Sequence, residues 1–323
     1  MSTYARELEV ARRAVRQAAA LCARVQRGVE GLEKSDKSPV TVADFGSQAL
    51  VCATLAEAFP EDPVVGEEDS ATLREHPALL AQVTREVDAE RGADAAQVCA
   101  WIDRGATREQ RPRFWTVDPI DGTKGFLRGE QYAVALALIV DGELVVSATA
   151  CPNLPLRPDD PERGVLFSAV KGGGAFAEAL AGGARWPLAV SAASDPAAGR
   201  FCQSVEPAHS DQEQAAALAA ALGIRAPARK LDSLAKYGIV ARGEAEIYLR
   251  LPRPGSTRAE CIWDHAAGVL LVTEAGGRVT DTRGAPLAFR HGAHLTHNRG
   301  VVASHGPWHD RILDTLSAFE EDA

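Results

Sequence analysis

The chain has 323 residues, of which 46% are hydrophobic and 24% charged, a composition that excludes wholesale disorder and suffices for a large core and two lobes. A net charge of −9 without any long Lys/Arg run excludes a general binder of nucleic-acid polymers, which needs clustered cations along the phosphate backbone. Any phosphate this protein meets must be held locally.

In chain order, "MSTYARELEVARRAVRQAAALCARV" spaces its apolar residues helically and interrupts them with Arg and Glu. It predicts an amphipathic helix of a cytoplasmic protein rather than a signal peptide or membrane span. Cys22, Cys52, Cys99, Cys151, Cys202 and Cys261 are scattered without a CxxC pair, which favours reduced thiols over a zinc site or a disulfide framework. "EKSDKSP" predicts a polar loop, VTVA a short strand, and the next segment a helix entered at Asp44 and ended near Pro60. "VVGEED" is a brief apolar run closing on three acids. Residues 71–113, rich in Ala, Arg and Glu and broken by Gly92 and Gly105, predict helices and loops without chemistry. From Trp115 a strand enters "DPIDGT", and "YAVALALIVDGELVVSATACP" predicts two strands joined tightly at Asp141-Gly142. Short strands continue through "GVLFSAVKGGGAFA". A boundary near "WPLAVSAASDP" divides an N-terminal lobe of residues 1–190 from a C-terminal lobe of residues 191–323. Beyond it "DQEQAAALAAALG", "LDSLAKYGIVARG", "EAEIYLRLP" and the helix of "WDHAAGVLLVTEAGG" alternate helix and strand in the α/β manner.

The chemistry concentrates in Asp118-Pro119-Ile120-Asp121-Gly122-Thr123. Proline fixes one φ and removes a donor, and glycine permits a tight reversal at the strand end. Both carboxylates and the Ile120 carbonyl can then converge, and carboxylates so close repel unless cations sit between them. Oxygen ligands of this kind suit magnesium or manganese. Asp-Pro and Asp-Gly are also ordinary turn formers, which is the bland reading of either pair alone. Glu67, directly after VVG, and Asp264, opening the WDHAAG helix, lie where α/β folds gather ligand groups. Asp264 and Asp44 also suit helix capping, and Glu67 a solvated charge run.

"GEED", "DPIDGT" and "WDHAAG", in this order and at these separations, resemble the signature blocks of the lithium-sensitive, magnesium-dependent phosphomonoesterases of the inositol monophosphatase superfamily. Within it, "DPIDGTKGFLRGEQYAVALALI" with "LDSLAKYGIVARGEAEIYLRLP" is similar to the 3'(2'),5'-bisphosphate nucleotidase branch, which removes the 3'-phosphate of adenosine 3',5'-bisphosphate. The likeness runs from about residue 5 to about residue 305 and weakens over residues 71–113. It implies an α/β fold with mixed lobes, layered α-β-α-β-α as in fructose-1,6-bisphosphatase. It further implies that Glu67, Asp118 and the Ile120 carbonyl bind one magnesium, and Asp118, Asp121 and Asp264 a second, with a third ion or manganese as variants. Thr123 would pair with Asp44 as the base for an attacking water, a hydroxyl being able to pass a proton to a carboxylate. Backbone N–H groups of Gly122 and Thr123 would face the phosphate.

Metal blocks handle only the scissile group, so specificity must come from the second half. The likeness places nucleotide contacts on His209, Ser233, Lys236, Arg250 and Asp264. Lys236 and Arg250 offer fixed positive charge to a second, uncleaved phosphate. Ser233 could instead cap its helix, Lys236 could be solvated and His209 a plain loop residue, whereas Arg250, alone on an apolar strand, needs a partner. "KGGGAF" lacks phosphate-loop spacing, GxSxG is absent, and the histidines of "FRHGAHLTHNRG" have no supporting carboxylates. The expected partner is therefore a small phosphorylated nucleotide, with neither nucleic-acid polymer nor membrane. The rivals are an inositol phosphate, 3'-phosphoadenylyl sulfate, or a non-catalytic nucleotide sensor. Oligomeric state leaves no mark in the sequence.

Overall fold

The structure is a computed structural model that describes residues 3–27, 32–33, 39–40, 42–108, 111–206, 210–253 and 255–321. The first helix, α1 (Ala5–Val25), buries Val10, Ala14, Ala18 and Leu21 along the stripe its spacing predicts. A two-stranded ribbon, β1 (Leu32–Glu33) and β2 (Pro39–Val40), leads to α2 (Val42–Ala58). That helix starts two residues ahead of Asp44, because Val42 and Ala43 are buried as part of it instead of extending a strand.

After β3 (Val64–Gly66), three helices fill the segment expected to lack chemistry: α3 (Ala71–Glu75), α4 (Pro77–Arg91) and α5 (Ala95–Arg104). Gly92 closes α4 at φ 65°, and a reciprocal Asp94–Gln97 capping box opens α5. Leu73, Val83, Val98 and Ile102 join the core formed with α1 and α2, so these helices are structural.

The chain then builds β4 (Arg113–Asp121), the short α6 (Thr123–Leu127), β5 (Ala133–Val140), β6 (Glu143–Pro155), β7 (Arg163–Val170), β8 (Gly174–Ala179) and β9 (Trp186–Pro187). Strands β3 to β9 form one seven-stranded sheet in sequence order, with β3 parallel to β4 and the rest antiparallel. Asp141 (φ 53°) and Gly142 (φ 82°) make the expected β5–β6 hairpin, both in the left-handed region that a type I′ turn requires. Alternation on β5 serves two cores: Val134, Leu136 and Leu138 face α1 and α2, while Ala133, Ala135, Ala137 and Ile139 join the cluster on the other face.

The remainder is β10 (Phe201–Gln203), α7 (Gln212–Leu222), β11 (Arg229–Lys230), α8 (Ala235–Ala241), β12 (Ile247–Arg250), α9 (Ala266–Glu274), β13 (Arg278–Thr280), β14 (Val301–Ser304) and α10 (His309–Glu321). Its five-stranded sheet runs β11-β10-β12-β14-β13, parallel across β11, β10 and β12 and antiparallel beyond. Helices α8 and α9 pack against strands of both sheets, and α7 and α10 bury Leu218, Leu222, Ile312 and Leu316 on the outer face of the second sheet. The layers therefore run helix, sheet, helix, sheet, helix, an α-β-α-β-α sandwich. No helix among the described residues is long and apolar enough to cross a membrane.

Candidate active site

The site begins with backbone register. Strand β3 runs parallel to β4 with Val64, Val65 and Gly66 beside Trp115, Thr116 and Val117. The next residues along, Glu67 and Asp118, both line one cleft. Gln48 on α2 fixes the loop after β3: its amide accepts from Glu68 N–H at 3.0 Å and donates to the carbonyls of Glu68 and Ile102.

Asp118 and Asp121 are three residues apart, so in a regular strand they would point to opposite faces. Against β5, Asp118 pairs with Ala135 and Asp121 with Ala133, so three steps on β4 match two on its partner. This one-residue bulge re-aims the strand end and lets both carboxylates enter the cleft. On the helix side Ser47 Oγ donates to the Pro119 carbonyl at 2.7 Å, which ties the turn to the helix that carries Asp44.

The turn docks on the loop before α8 without spare room. Gly122 sits at φ 89°, and a Cβ there would lie 3.1 Å from Ser233 Cβ. At Gly125 a Cβ would lie 2.4 Å from the Gln131 carbonyl and 2.7 Å from Asp232 Oδ2, so glycine is required for close approach. Asp121 Oδ2 accepts the Leu234 N–H, and Arg128 pairs with both Asp232 and Glu206 at 2.6 Å.

Around this turn the cleft, about 670 Å³, gathers Glu67, Asp118, Ile120, Asp121, Gly122, Thr123, Ser233, Lys236, Arg250 and Asp264. Asp118 is 1% exposed, and burial followed by the charges of Asp121, Glu67, Asp264 and Asp44 pushes its carboxyl well above the usual range. Asp121 is also raised by enclosure, against the opposing pull of Lys236 and the Leu234 N–H. Asp264 is raised to about 6, chiefly by enclosure, with His265 opposing and Asp121 adding. It does not cap α9, whose N-cap is His265 with no side-chain cap bond. Asp44 is 2% exposed, and Thr123 Oγ donates to the Ile120 carbonyl at 3.2 Å.

Cations line the same cleft. Lys236 is 5% exposed rather than solvated; its Nζ donates to the Ser233 carbonyl at 2.6 Å and lies 5.4 Å over the Tyr248 ring. Burial pulls this ammonium below its ordinary pKa, with Asp121 opposing. Ser233 does take a local role, holding φ 72° and accepting the Ala235 N–H at 3.2 Å. Arg250 finds its partner within the chain: Glu260 accepts from Nε at 3.1 Å. Burial alone would raise the Glu260 carboxyl, but His265 and Arg250 outweigh it and bring it down to about 2. Glu260, His265 and Tyr248 were not legible as site residues; the one signal was that Arg250 required an anion. His209 lies outside the described residues.

Two features test whether these groups suit a metal ion. Asp118 Oδ1 is buried without a hydrogen-bond partner, and its neighbours are further carboxylates whose mutual repulsion a cation would relieve. An all-oxygen donor set of this kind fits a hard divalent cation. Ligand atoms of Glu260, Asp264 and His265 also approach within 4.8 Å of one another. There, however, Arg250 engages Glu260 and the Tyr237 hydroxyl engages His265 Nδ1, so two of the three already have partners within the chain.

The family model described as the inositol monophosphatase family matches residues 4–321, and the chain belongs to that family. Its members depend on metal ions. A 3'(2'),5'-bisphosphate nucleotidase of Emericella nidulans is 42% identical, over 97% of this chain and 98% of its own. One from Oryza sativa is 43% identical, over 99% of this chain and 95% of its own. Among solved structures, an IMPase of Thermotoga maritima superimposes with a TM-score of 0.69 at 20% identity, covering 98% of each chain, and so supports the fold.

Proposed function

We propose that this protein is a magnesium-dependent 3'(2'),5'-bisphosphate nucleotidase that hydrolyses the 3'-phosphate of adenosine 3',5'-bisphosphate to give AMP and phosphate. The observation that carries the reading is one cleft lined both by converging carboxylates and by Lys236 and Arg250. Carboxylates alone serve any phosphate ester, whereas two fixed cations in the same cleft suit a substrate with a second phosphate. The names of relatives that match nearly end to end support the same choice.

In this reading Glu67, Asp118, the Ile120 carbonyl, Asp121 and Asp264 would hold two or three magnesium ions, with manganese as a substitute. Bound there, the ions supply positive charge to the phosphate oxygens and lower the proton affinity of a water. Asp44 and Thr123 take the proton from the attacking water, the hydroxyl turning from the Ile120 carbonyl to relay it to the carboxylate. Gly122 and Thr123 offer backbone N–H groups to the phosphate. Ser233, Lys236, Arg250 and His209 hold the nucleotide, and buried Lys236 does so without first shedding water. A cytoplasmic setting is part of the proposal, supported by six free, buried cysteines.

The test is phosphate release from adenosine 3',5'-bisphosphate, 5'-AMP and inositol 1-phosphate, side by side with magnesium and with EDTA. Release from the bisphosphate alone, abolished by EDTA, is expected; preference for inositol 1-phosphate would overturn the substrate assignment. Arg253 and Arg258, exposed at the same cleft, favour 3'-phosphoadenylyl sulfate as a second substrate.

A further inference from the structure

Arg250 ends the apolar strand β12 and lines the cleft, yet it is not held by the strand alone. Its Nε lies 3.1 Å from Glu260 Oε1 and its Nη2 lies 3.1 Å from Oε2, a two-point clasp along one edge of the guanidinium. The clasp lies against a second pair of side chains. Glu260 Oε2 is 3.5 Å from Nε2 of the buried His265, whose Nδ1 is 2.7 Å from the Tyr237 hydroxyl. Tyr237 meets Tyr248 edge to face with ring centroids 4.9 Å apart, and Lys236 Nζ lies over that second ring. The contacts thus run in a chain from Arg250 through Glu260, His265, Tyr237 and Tyr248 to Lys236, which neighbours Tyr237 on α8. Glycine at 268 lets α9 approach: a Cβ there would lie 2.2 Å from the Tyr237 ring.

We propose that Glu260 is a positioning residue for substrate specificity, clasping one edge of Arg250 so that the Nη1 side of the fork is presented to the uncleaved phosphate of the nucleotide. An arginine free to rotate loses its side-chain entropy on binding, whereas one clasped has lost it on folding, so the clasp appears as affinity for the second phosphate. The paired carboxylate also gives the half-buried cation a partner of its own. Lys236 and Arg250 are thereby held at a set spacing, which selects ligands by where their second phosphate lies. This inference rests on the nucleotidase reading.

The experiment measures AMP binding by calorimetry for the wild-type protein and for Glu260→Gln, Glu260→Ala, Arg250→Ala and the Glu260→Gln/Arg250→Ala double variant. Kinetics on adenosine 3',5'-bisphosphate and adenosine 3'-monophosphate follow in magnesium. Glu260→Gln should weaken AMP about tenfold, the loss of one charge-assisted contact. Glu260→Ala should weaken it further, and the double variant should bind no worse than Arg250→Ala, since Glu260 acts through that arginine. KM for the bisphosphate should rise by a similar factor, with kcat and the monophosphate KM moving less than about threefold. Equal losses on both substrates, an unchanged AMP affinity, or a full additive loss in the double variant would each overturn the proposal. Wild-type protein that binds AMP but does not release phosphate from the bisphosphate would instead overturn the nucleotidase reading, leaving the binding comparison to judge Glu260.

Discussion

The carboxylates and the cations of the cleft are positioned by different means. The carboxylates are placed by backbone: parallel register sets Glu67 beside Asp118, and a one-residue bulge turns Asp121 to join it. The cations are placed by side chains that contact one another across α8, β12 and the segment leading to α9. Register confers rigidity on groups that repel, which suits metal ligands; a chain of side-chain contacts can be tuned residue by residue, which suits choice of substrate.

If that division is right, damage to the two sets of groups should look different. Asp118→Asn should lower phosphate release by roughly 10³-fold, since a group shared among the acids is lost. The same variant should raise the melting temperature of the EDTA-treated protein, because an amide removes a buried carboxylate repelled by its neighbours. A lower melting temperature would contradict the electrostatic account. Lys236→Met should instead act on KM, raising it by roughly 10²-fold with kcat less affected, the loss of charge-assisted contacts from a buried ammonium. A kcat defect with unchanged KM would erase the distinction between the two sets.

Magnesium and pH give a third comparison. Asp264 titrates near 6 in the folded chain and lower when unfolded, so the folded state holds its proton more tightly. Its stabilising contribution is present below about pH 4 and lost as pH rises through about 6. In EDTA this group should therefore make the protein less stable across that window. Magnesium needs ionised ligands, so the rise in melting temperature it produces should grow between about pH 5 and pH 8. Thermal scans with and without magnesium check both signs. A smaller effect is expected where the turn docks on the loop before α8: Gly125→Ala should cost about 1–3 kcal/mol, because its Cβ has no room beside the Gln131 carbonyl and Asp232. Chemical denaturation measures it.

Legibility in the sequence follows the same division. DPIDGT could be read directly because its chemistry lies within one strand end, and the Asp141-Gly142 hairpin because its turn demands left-handed residues. Glu260 could not, since it meets Arg250 across a loop with no periodicity to betray the pairing. Strands β10 and β11, of three and two residues, are too short for alternation to register. The start of α2 departs from the expected strand because Val-Thr-Val favours a strand locally, whereas burial of Val42 and Ala43 in the core shared with α1 favours a helix.

The central claim is that distant acids act together as one metal site, and calorimetric titration of magnesium into the EDTA-stripped, dialysed protein tests it most directly. Saturable binding with proton release, abolished in Asp118→Asn, is the predicted result. Equal magnesium affinity in the wild-type and Asp118→Asn proteins would contradict it.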